Sequence, residues 1–561
     1  MGILQRTVGL TINTVAGSFF RNFVADTRRA SDVEELVLMN ILADNKNTDF
    51  GLRHGFAGIT SKKEYKDAAP LSTYDNYRKD IEKLAAGETN ILTSEPVKYF
   101  GLTSGTTGTQ KMIPVTPRSH RIVAEHMGLL MQGVLFNIIP DSRRFDRGLM
   151  LINTVTSGLT PAGIPTGAGT SGGMQSMKRL FPYLWTSPAE IFEIKSQPDA
   201  NYLHLLFALK HKNLMYIGAP FASAVLELFK QLEKCWPRLV DDLSRGSINE
   251  EIHLDLPARH RLQKTLRPDR ARADELKKEF ERGFAGIARR IWPRLLYINS
   301  VAGGSFSIYA RKLEQYLAGI PIYSAVYGAT EAFIGISLEP GETTYVLTPR
   351  TAYHEFIPLK FADEINPQTL DLEDLTVGEC YEVAVTNFAG LYRYRLGDIV
   401  KVAGYYNECP VIEFLYRKGQ LLNLTGEKTS EQAVCHAVFQ AAARTGVELV
   451  DYTTVADCEN SPGRYIFYVE VKLPAGGGKN LRGTDVIEEA LCHANPRYQA
   501  GRQAGKIGLP AVKVVKPGTF GELVKILIKN GTSANQLKIP RVVSDKKLVD
   551  FLDRNCISPG R

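Results

Sequence analysis

The sequence predicts an α/β protein with a large N-terminal multi-sheet α/β domain followed by a small C-terminal α+β domain. Three observations carry this. The chain has 561 residues, too many for one simple core. Strand-like and helix-like patterns alternate for several hundred residues, as in the apolar stretch Leu149 to Ile152 and in Leu214 to Ile217, which leads into a helical pattern from about Ala222. After about Phe414 the pattern changes. Strand-like Gln420 to Leu424 leads to a helical stretch from Glu431 to Arg444. A strand, Arg464 to Leu473, follows between Pro462-Gly463 and Pro474. A helix near Val486 to Cys492 and a strand Ala511 to Val515 complete the small domain. The expected division is 1–416 and 417–561.

Composition narrows the class. Apolar residues make up 44% and charged residues 23%, the balance of a globular protein. No apolar run is long enough to span a bilayer. The segment Val8 to Ala16 is interrupted by Thr11, Asn13 and Thr14, so it does not read as a secretory leader. Position 6 is Arg, which excludes a myristoylation signal. Ser31-Asp32-Val33-Glu34 matches a capping box ahead of the apolar run Leu36 to Leu42.

The net charge of +8 suits an anionic ligand such as a nucleotide without demanding nucleic acid. Basic residues peak between Arg259 and Arg290, where Asp274, Glu275, Glu279 and Glu281 are spaced for pairing on a solvated helix. Seven cysteines occur without a CxxC, and Cys435-His436 and Cys492-His493 lack the further ligands of a metal site. Both cysteines lie in helical patterns, where they read as small buried hydrophobes. An odd count without a framework fits a reducing compartment, and the expected location is cytoplasmic.

Three stretches carry chemistry. In the first, a strand-like approach runs through Phe100-Gly101-Leu102-Thr103 into Ser104-Gly105-Thr106-Thr107-Gly108-Thr109-Gln110-Lys111. Gly105 and Gly108 permit close backbone approach. Backbone N–H groups and the hydroxyls of Ser104, Thr106 and Thr107 can donate to phosphate oxygens, and Lys111 adds a mobile positive charge. A P-loop is excluded because Gln110 and Met112 stand where Gly and Ser/Thr are required. A flexible surface loop is the competing reading. Thr116 is placed to cap the next helix, with Pro117 at its first position. Gly167-Ala168-Gly169-Thr170-Ser171-Gly172 formally matches GxGxxG, but Pro161 and Pro165 precede it where a dinucleotide site needs a strand, so it reads as a loop.

The second stretch begins at the glycine turn Ala302-Gly303-Gly304-Ser305, followed by a helical pattern. The apolar stretch Ile322 to Val326 then ends in Tyr327-Gly328-Ala329-Thr330-Glu331. Open α/β sheets bind ligands where strands end in polar groups. Thr330 can bind phosphate, and Glu331 offers a hard carboxylate to Mg²⁺. Tyr327 can lie on a purine or pack in the core. The third stretch is Gly390-Leu391-Tyr392-Arg393-Tyr394-Arg395-Leu396-Gly397-Asp398. Asp398 can accept both hydroxyls of a ribose, or can pair with Arg393 or Arg395.

These motifs occur in the order that resembles the adenylate-forming superfamily of acyl-CoA synthetases, luciferases and peptide-synthetase adenylation domains. Within it the chain is similar to the Gretchen Hagen family of acyl-acid amido synthetases, the auxin-responsive conjugating enzymes and their bacterial relatives. Glu355-Phe356-Ile357-Pro358, Ala389 to Arg395, Gly518-Thr519-Phe520 and Asn535-Gln536-Leu537-Lys538-Ile539-Pro540-Arg541 carry that similarity.

The resemblance implies ATP and Mg²⁺ as cofactors and a small carboxylic acid and an amine as substrates, with no nucleic acid or membrane partner. Acyl-adenylate formation would be followed by transfer to the amine; an acid–CoA ligase is the alternative. Ser104 to Lys111 would hold phosphates, and Gly303, Gly304 and Ser305 would border adenine. Tyr327, Gly328 and Thr330 would contact base and phosphate. Glu331 would hold magnesium, Asp398 the ribose, and Lys538 would act in adenylation. The connection near Tyr416-Arg417-Lys418 resembles the superfamily hinge. Tyr216 and Phe221 are candidates for the acyl pocket.

Two departures stand out. Tyr327-Gly328-Ala329-Thr330 is closer to the wider superfamily than to many plant relatives. Glu427 replaces an aspartate in the segment Gly426-Glu427-Lys428-Thr429, which puts the role of Lys428 in the acyl or amine pocket in question.

Overall fold

In the computed structural model, the described residues are 3–103, 111–154, 158–169, 178–303, 306–418, 422, 424, 427, 429–457, 462–472, 484–529, 539–543 and 545–557. Contacts divide the chain into two units. The first comprises 1–103, 111–396 and 400–414, and the second 104–110, 397–399 and 415–561.

The first unit holds three sheets. One runs in the order Met112–Val115, Tyr99–Leu102, Pro165–Ala168, Gly158–Leu159. The second is all parallel, in the order Leu149–Met150, Tyr216–Phe221, Tyr297–Val301, Ile322–Tyr323. Helices Gln197–Lys210, Ala222–Arg245, Arg270–Glu281 and Ser307–Leu317 supply much of the apolar cluster that covers it. A parallel sheet needs such cover because its strands are apolar on both faces. The third sheet has seven strands, in the order Tyr353–Pro358, Cys380–Thr386, Tyr394–Tyr406, Cys409–Arg417, Thr344–Leu347, Phe333–Ile336, Val326–Gly328.

Two strand expectations shift. The strand expected at Leu214 to Ile217 spans Tyr216–Phe221 instead. A register shift between Gly218 and Phe221 absorbs Gly218-Ala219-Pro220, which the sequence presents as a breaker. The stretch Ile322 to Val326 is not one strand. The chain leaves the parallel sheet at Tyr323 and enters the seven-stranded sheet at Val326.

The expected capping box is also absent. The helix runs Ala30–Asn45, so Ser31 already lies in its first turn and donates to Glu373. Glu34 is fully buried against His354, with Oε1 and Nδ1 2.6 Å apart. Thr116 does cap Pro117–Ala124 by accepting from Ser119 N–H. Acidic residues of the basic segment form ion pairs, as between Arg282 or Arg290 and Glu279.

The second unit contains an antiparallel pair, Glu448–Asp457 and Arg464–Lys472, with Ala511–Val514 parallel to the latter. Ser430 caps Glu431–Thr445, and Gly446 ends it in the left-handed conformation. Glu470 accepts from the N–H groups of Gly518 and Phe520, which fixes the start of helix Thr519–Lys529. Cys435 and Cys492 are in helices, and all six described cysteines are free. Among the described residues, no helix is long and apolar enough to cross a membrane.

The first unit contains a buried, fully engaged ion pair. Arg393 Nε and Nη2 donate to Glu355 at 2.9 to 3.1 Å, while Nη1 donates to the carbonyls of Lys66 and Ala69 at 2.7 Å. The two side chains are 4% and 0% exposed. Removing one partner leaves the other charge buried. Glu355→Ala should therefore cost about 3–5 kcal/mol, whereas Asp75→Ala, which breaks the solvent-exposed pair with Arg78, should leave the midpoint nearly unchanged. Thermal unfolding of the two variants checks this, and equal midpoints would contradict it.

Candidate active site

Strands Tyr99–Leu102 and Pro165–Ala168 run parallel, with Gly101 opposite Gly167 and Leu102 opposite Ala168. The GxGxxG stretch therefore does leave a strand, against the expectation from its prolines. Gly169 of this stretch and Gly101 of the neighbouring strand serve packing. A Cβ on Gly101 would lie 2.6 Å from Thr330 Cγ2, and one on Gly169 would lie 3.2 Å from the same methyl. Only glycine at Gly101 leaves Thr330 its place beside these strand ends. Ser104, Gly105, Thr106, Thr107 and Gly108 lie outside the described residues, as do Gly304, Ser305, Lys428 and Lys538. Lys111 follows directly. Its carbonyl accepts from Thr103 N–H at 3.1 Å, and its ammonium sits 5.6 Å from the ring centre of Tyr74.

Thr330 and Glu331 form the tip of a hairpin between Val326–Gly328 and Phe333–Ile336, closed by Ala329 N–H donating to Ala332 O at 2.8 Å. Thr330 is thus fixed against Gly101 and Gly169, while the carbonyl of Glu331 accepts from Asn387 Nδ2 at 2.7 Å. Gly328 is exposed at the strand end. Tyr327 is 8% exposed, with Tyr345 and Phe414 at ring-centre distances of 5.7 and 5.6 Å, so most of its ring belongs to the core.

The parallel sheet separates the two acyl-pocket candidates. Phe221 ends its strand at the carboxyl edge, opposite Val301, and stacks on Phe306 at 4.4 Å. Gly303 follows Val301 at that edge, and a Cβ on it would lie 2.7 Å from Thr343 Cγ2. Tyr216 begins the strand at the other end, roughly 16 Å away at strand rise. It stacks on Tyr297 at 5.4 Å and accepts from Trp185 Nε1 at 2.9 Å. Burial pushes its hydroxyl pKa up to about 12. Tyr216 thus packs on Tyr297 and Trp185, while Phe221 lies at the carboxyl edge, where open α/β sheets place ligands.

In the second unit, Asp398 is 2% exposed and receives Arg417 Nε and Nη2 at 2.5 and 3.1 Å. Its expected competitors are engaged elsewhere, Arg393 with Glu355 and Arg395 with Glu382. Glu427, unlike Lys428, is described. It is buried, accepts from Tyr465 OH and from Leu424 N–H, and its carbonyl accepts from Asn495.

Glu331 fits Mg²⁺ as a single carboxylate at a hairpin tip, since that ion uses one or two carboxylates alongside waters and substrate phosphates. Among the described residues no cluster of three or more His, Cys, Asp and Glu forms a closed metal cage. Asn387 was not foreseen. Its only sequence signal is an amide just before the Phe388-Ala389-Gly390 turn.

The GH3 family N-terminal domain matches residues 19–322, its central domain 345–417 and its C-terminal domain 432–547. The indole-3-acetic acid-amido synthetases GH3.3 and GH3.6 of Arabidopsis thaliana are 32% and 30% identical, each over 95% of this chain and 92% of the relative. A solved GH3.15 acyl acid amido synthetase in complex with 2,4-DB superposes with a TM-score of 0.84 at 29% identity, covering 97% of this chain and 96% of that one. A 2-hydroxyisobutyryl-CoA ligase in its postadenylation state shares the fold at a TM-score of 0.52 and 12% identity, over 94% and 91% of the two chains. The chain belongs to the GH3 family of acyl acid amido synthetases.

Proposed function

We propose that this ligase forms an acyl-adenylate from ATP and a carboxylic acid, then passes the acyl group to an amine, in particular an amino acid. The observation that carries the reading is the hairpin tip at Thr330 and Glu331, packed on the glycines of the strand that leads into Ser104 to Lys111. A carboxylate oxygen of the acid attacks the α-phosphorus, and pyrophosphate leaves. The amine then attacks the acyl carbon, and AMP departs with that oxygen. No protein nucleophile is needed, so the residues position and neutralise.

Lys111 and the loop from Ser104 to Gly108 hold the phosphates, and Thr330 touches one of them. Gly303, Gly304, Ser305, Tyr327 and Gly328 border the adenine. Asp398, held by Arg417, binds the ribose. Lys538 supplies positive charge during adenylation. Mg²⁺, held at Glu331, would neutralise phosphate charge. Phe221 borders the acyl group, and Lys428 serves the acyl or amine side. The functional division lies at 416/417, near Tyr416-Arg417-Lys418. A cytoplasmic setting fits a user of ATP whose described cysteines are all free.

Asp398→Asn should weaken ATP binding at least about tenfold, on the scale of losing charge-assisted hydrogen bonds. It should leave pyrophosphate affinity unchanged. Calorimetry showing normal ATP affinity in the folded variant would reassign Asp398 to a purely structural pair with Arg417.

The acceptor is decided by competition. The enzyme is given ATP, Mg²⁺, pooled carboxylic acids including indole-3-acetic acid, amino acids and CoA, and the products are read by mass spectrometry. An acyl–amino acid amide with AMP is expected, forming faster as pH rises toward the amine's pKa because only the neutral amine attacks. Thioester without any amide would establish the acid–CoA ligase reading instead.

A further inference from the structure

We infer that Asn387 is a positioning residue for adenylation, holding the backbone of Glu331 so that its carboxylate keeps a fixed place at the phosphate site. The inference rests on the assignment of Glu331 to the metal. Asn387 is 5% exposed and uses both ends of its amide. Oδ1 accepts from Ala389 N–H at 2.9 Å and from Leu391 N–H at 3.0 Å. Nδ2 donates to the carbonyl of Glu331 at 2.7 Å. The network also fixes which end of the amide is oxygen, because two N–H groups face one end and a carbonyl faces the other.

The site needs an acceptor and a donor at one position. Asp supplies the acceptor alone, and an apolar residue supplies neither. The main chain of Asn387 adds a fourth bond, N–H to Leu391 O at 2.9 Å, so the amide stands on a closed turn. This turn belongs to the Gly390 to Arg395 stretch, while Glu331 lies 56 positions earlier on a different hairpin. Asn387 is therefore a hydrogen-bonded tie between two of the three motif stretches. With Thr330 seated on Gly101 and Gly169, the tie fixes the hairpin tip from a second side.

Outer partners of metal ligands typically change affinity 10- to 100-fold when lost. Asn387→Asp keeps the acceptor for the turn and removes the donor to Glu331. Asn387→Ser is the neutral counterpart, too short to reach Glu331 and free of added charge. The probe is Mn²⁺ with an ATP analogue bearing a methylene between the α- and β-phosphates, read by electron paramagnetic resonance in the full-length enzyme. Rates of acyl-AMP formation and of aminolysis of pre-made acyl-AMP are measured alongside, with Glu331→Gln in parallel.

Asn387→Ser is expected to raise the half-saturating Mn²⁺ about tenfold or more. It should slow acyl-AMP formation while leaving aminolysis within about twofold, which a general loss of folding would not do. Asn387→Asp should slow acyl-AMP formation equally. Normal Mn²⁺ affinity in Asn387→Ser, with affinity lost in Glu331→Gln, overturns the positioning role and leaves the metal assignment standing. Normal affinity in Glu331→Gln overturns the metal assignment and the inference with it.

Discussion

The first unit is organised around the buried pair of Arg393 and Glu355. A guanidinium and a carboxylate lose their water at large cost, and the cost is offset only when nearly every donor and acceptor finds a partner. Here Glu355 accepts from Arg393 and also from Thr369 Oγ1 at 2.6 Å, while the remaining donors of Arg393 meet the Lys66 and Ala69 carbonyls. Arg393 also has a positive φ of 47°, unusual for a residue with a side chain. Its N–H donates to Thr386 Oγ1, and its carbonyl accepts from Ser72 N–H, so the strained residue is held from several directions.

From that anchor the chemistry follows outward. The anchored turn contains Asn387, and its strand continues to Asp398. Asn387 reaches the hairpin tip, where Thr330 needs the missing side chains of Gly101 and Gly169. On the proposed reading, Thr330 and Glu331 would meet the phosphates from a closed hairpin that has little freedom to reorganise. Such a scaffold suits a reaction in which the protein forms no covalent bond.

The sequence made the motifs, the α/β class and the small second unit legible because each rests on local patterns. Thr116 before Pro117 is a cap on local grounds. What failed depends on distant partners. The Ser31 to Glu34 capping pattern loses to a histidine 320 positions away that buries Glu34. By sequence, Arg393 and Arg395 are both candidates to pair with Asp398. Side chains alternate along a strand, however, so Arg395 and Asp398, three apart, face opposite sides. Tyr216 lies near the carboxyl end of the strand expected at Leu214 to Ile217, but the strand begins at Tyr216 and ends at Phe221, bounds that the Gly218-Ala219-Pro220 irregularity hides from local patterns. Asn387 left almost no trace, since its meaning comes from the Glu331 carbonyl rather than from its neighbours.

The central claim is that the acid is activated on the α-phosphorus of ATP and released from AMP by an amine. Oxygen labelling tests this directly. With both carboxylate oxygens of the acid carrying oxygen-18, one labelled oxygen should appear in AMP, one should remain in the amide carbonyl, and none should appear in pyrophosphate. Label in orthophosphate or pyrophosphate, with AMP unlabelled, would contradict the acyl-adenylate and require attack at a different phosphorus.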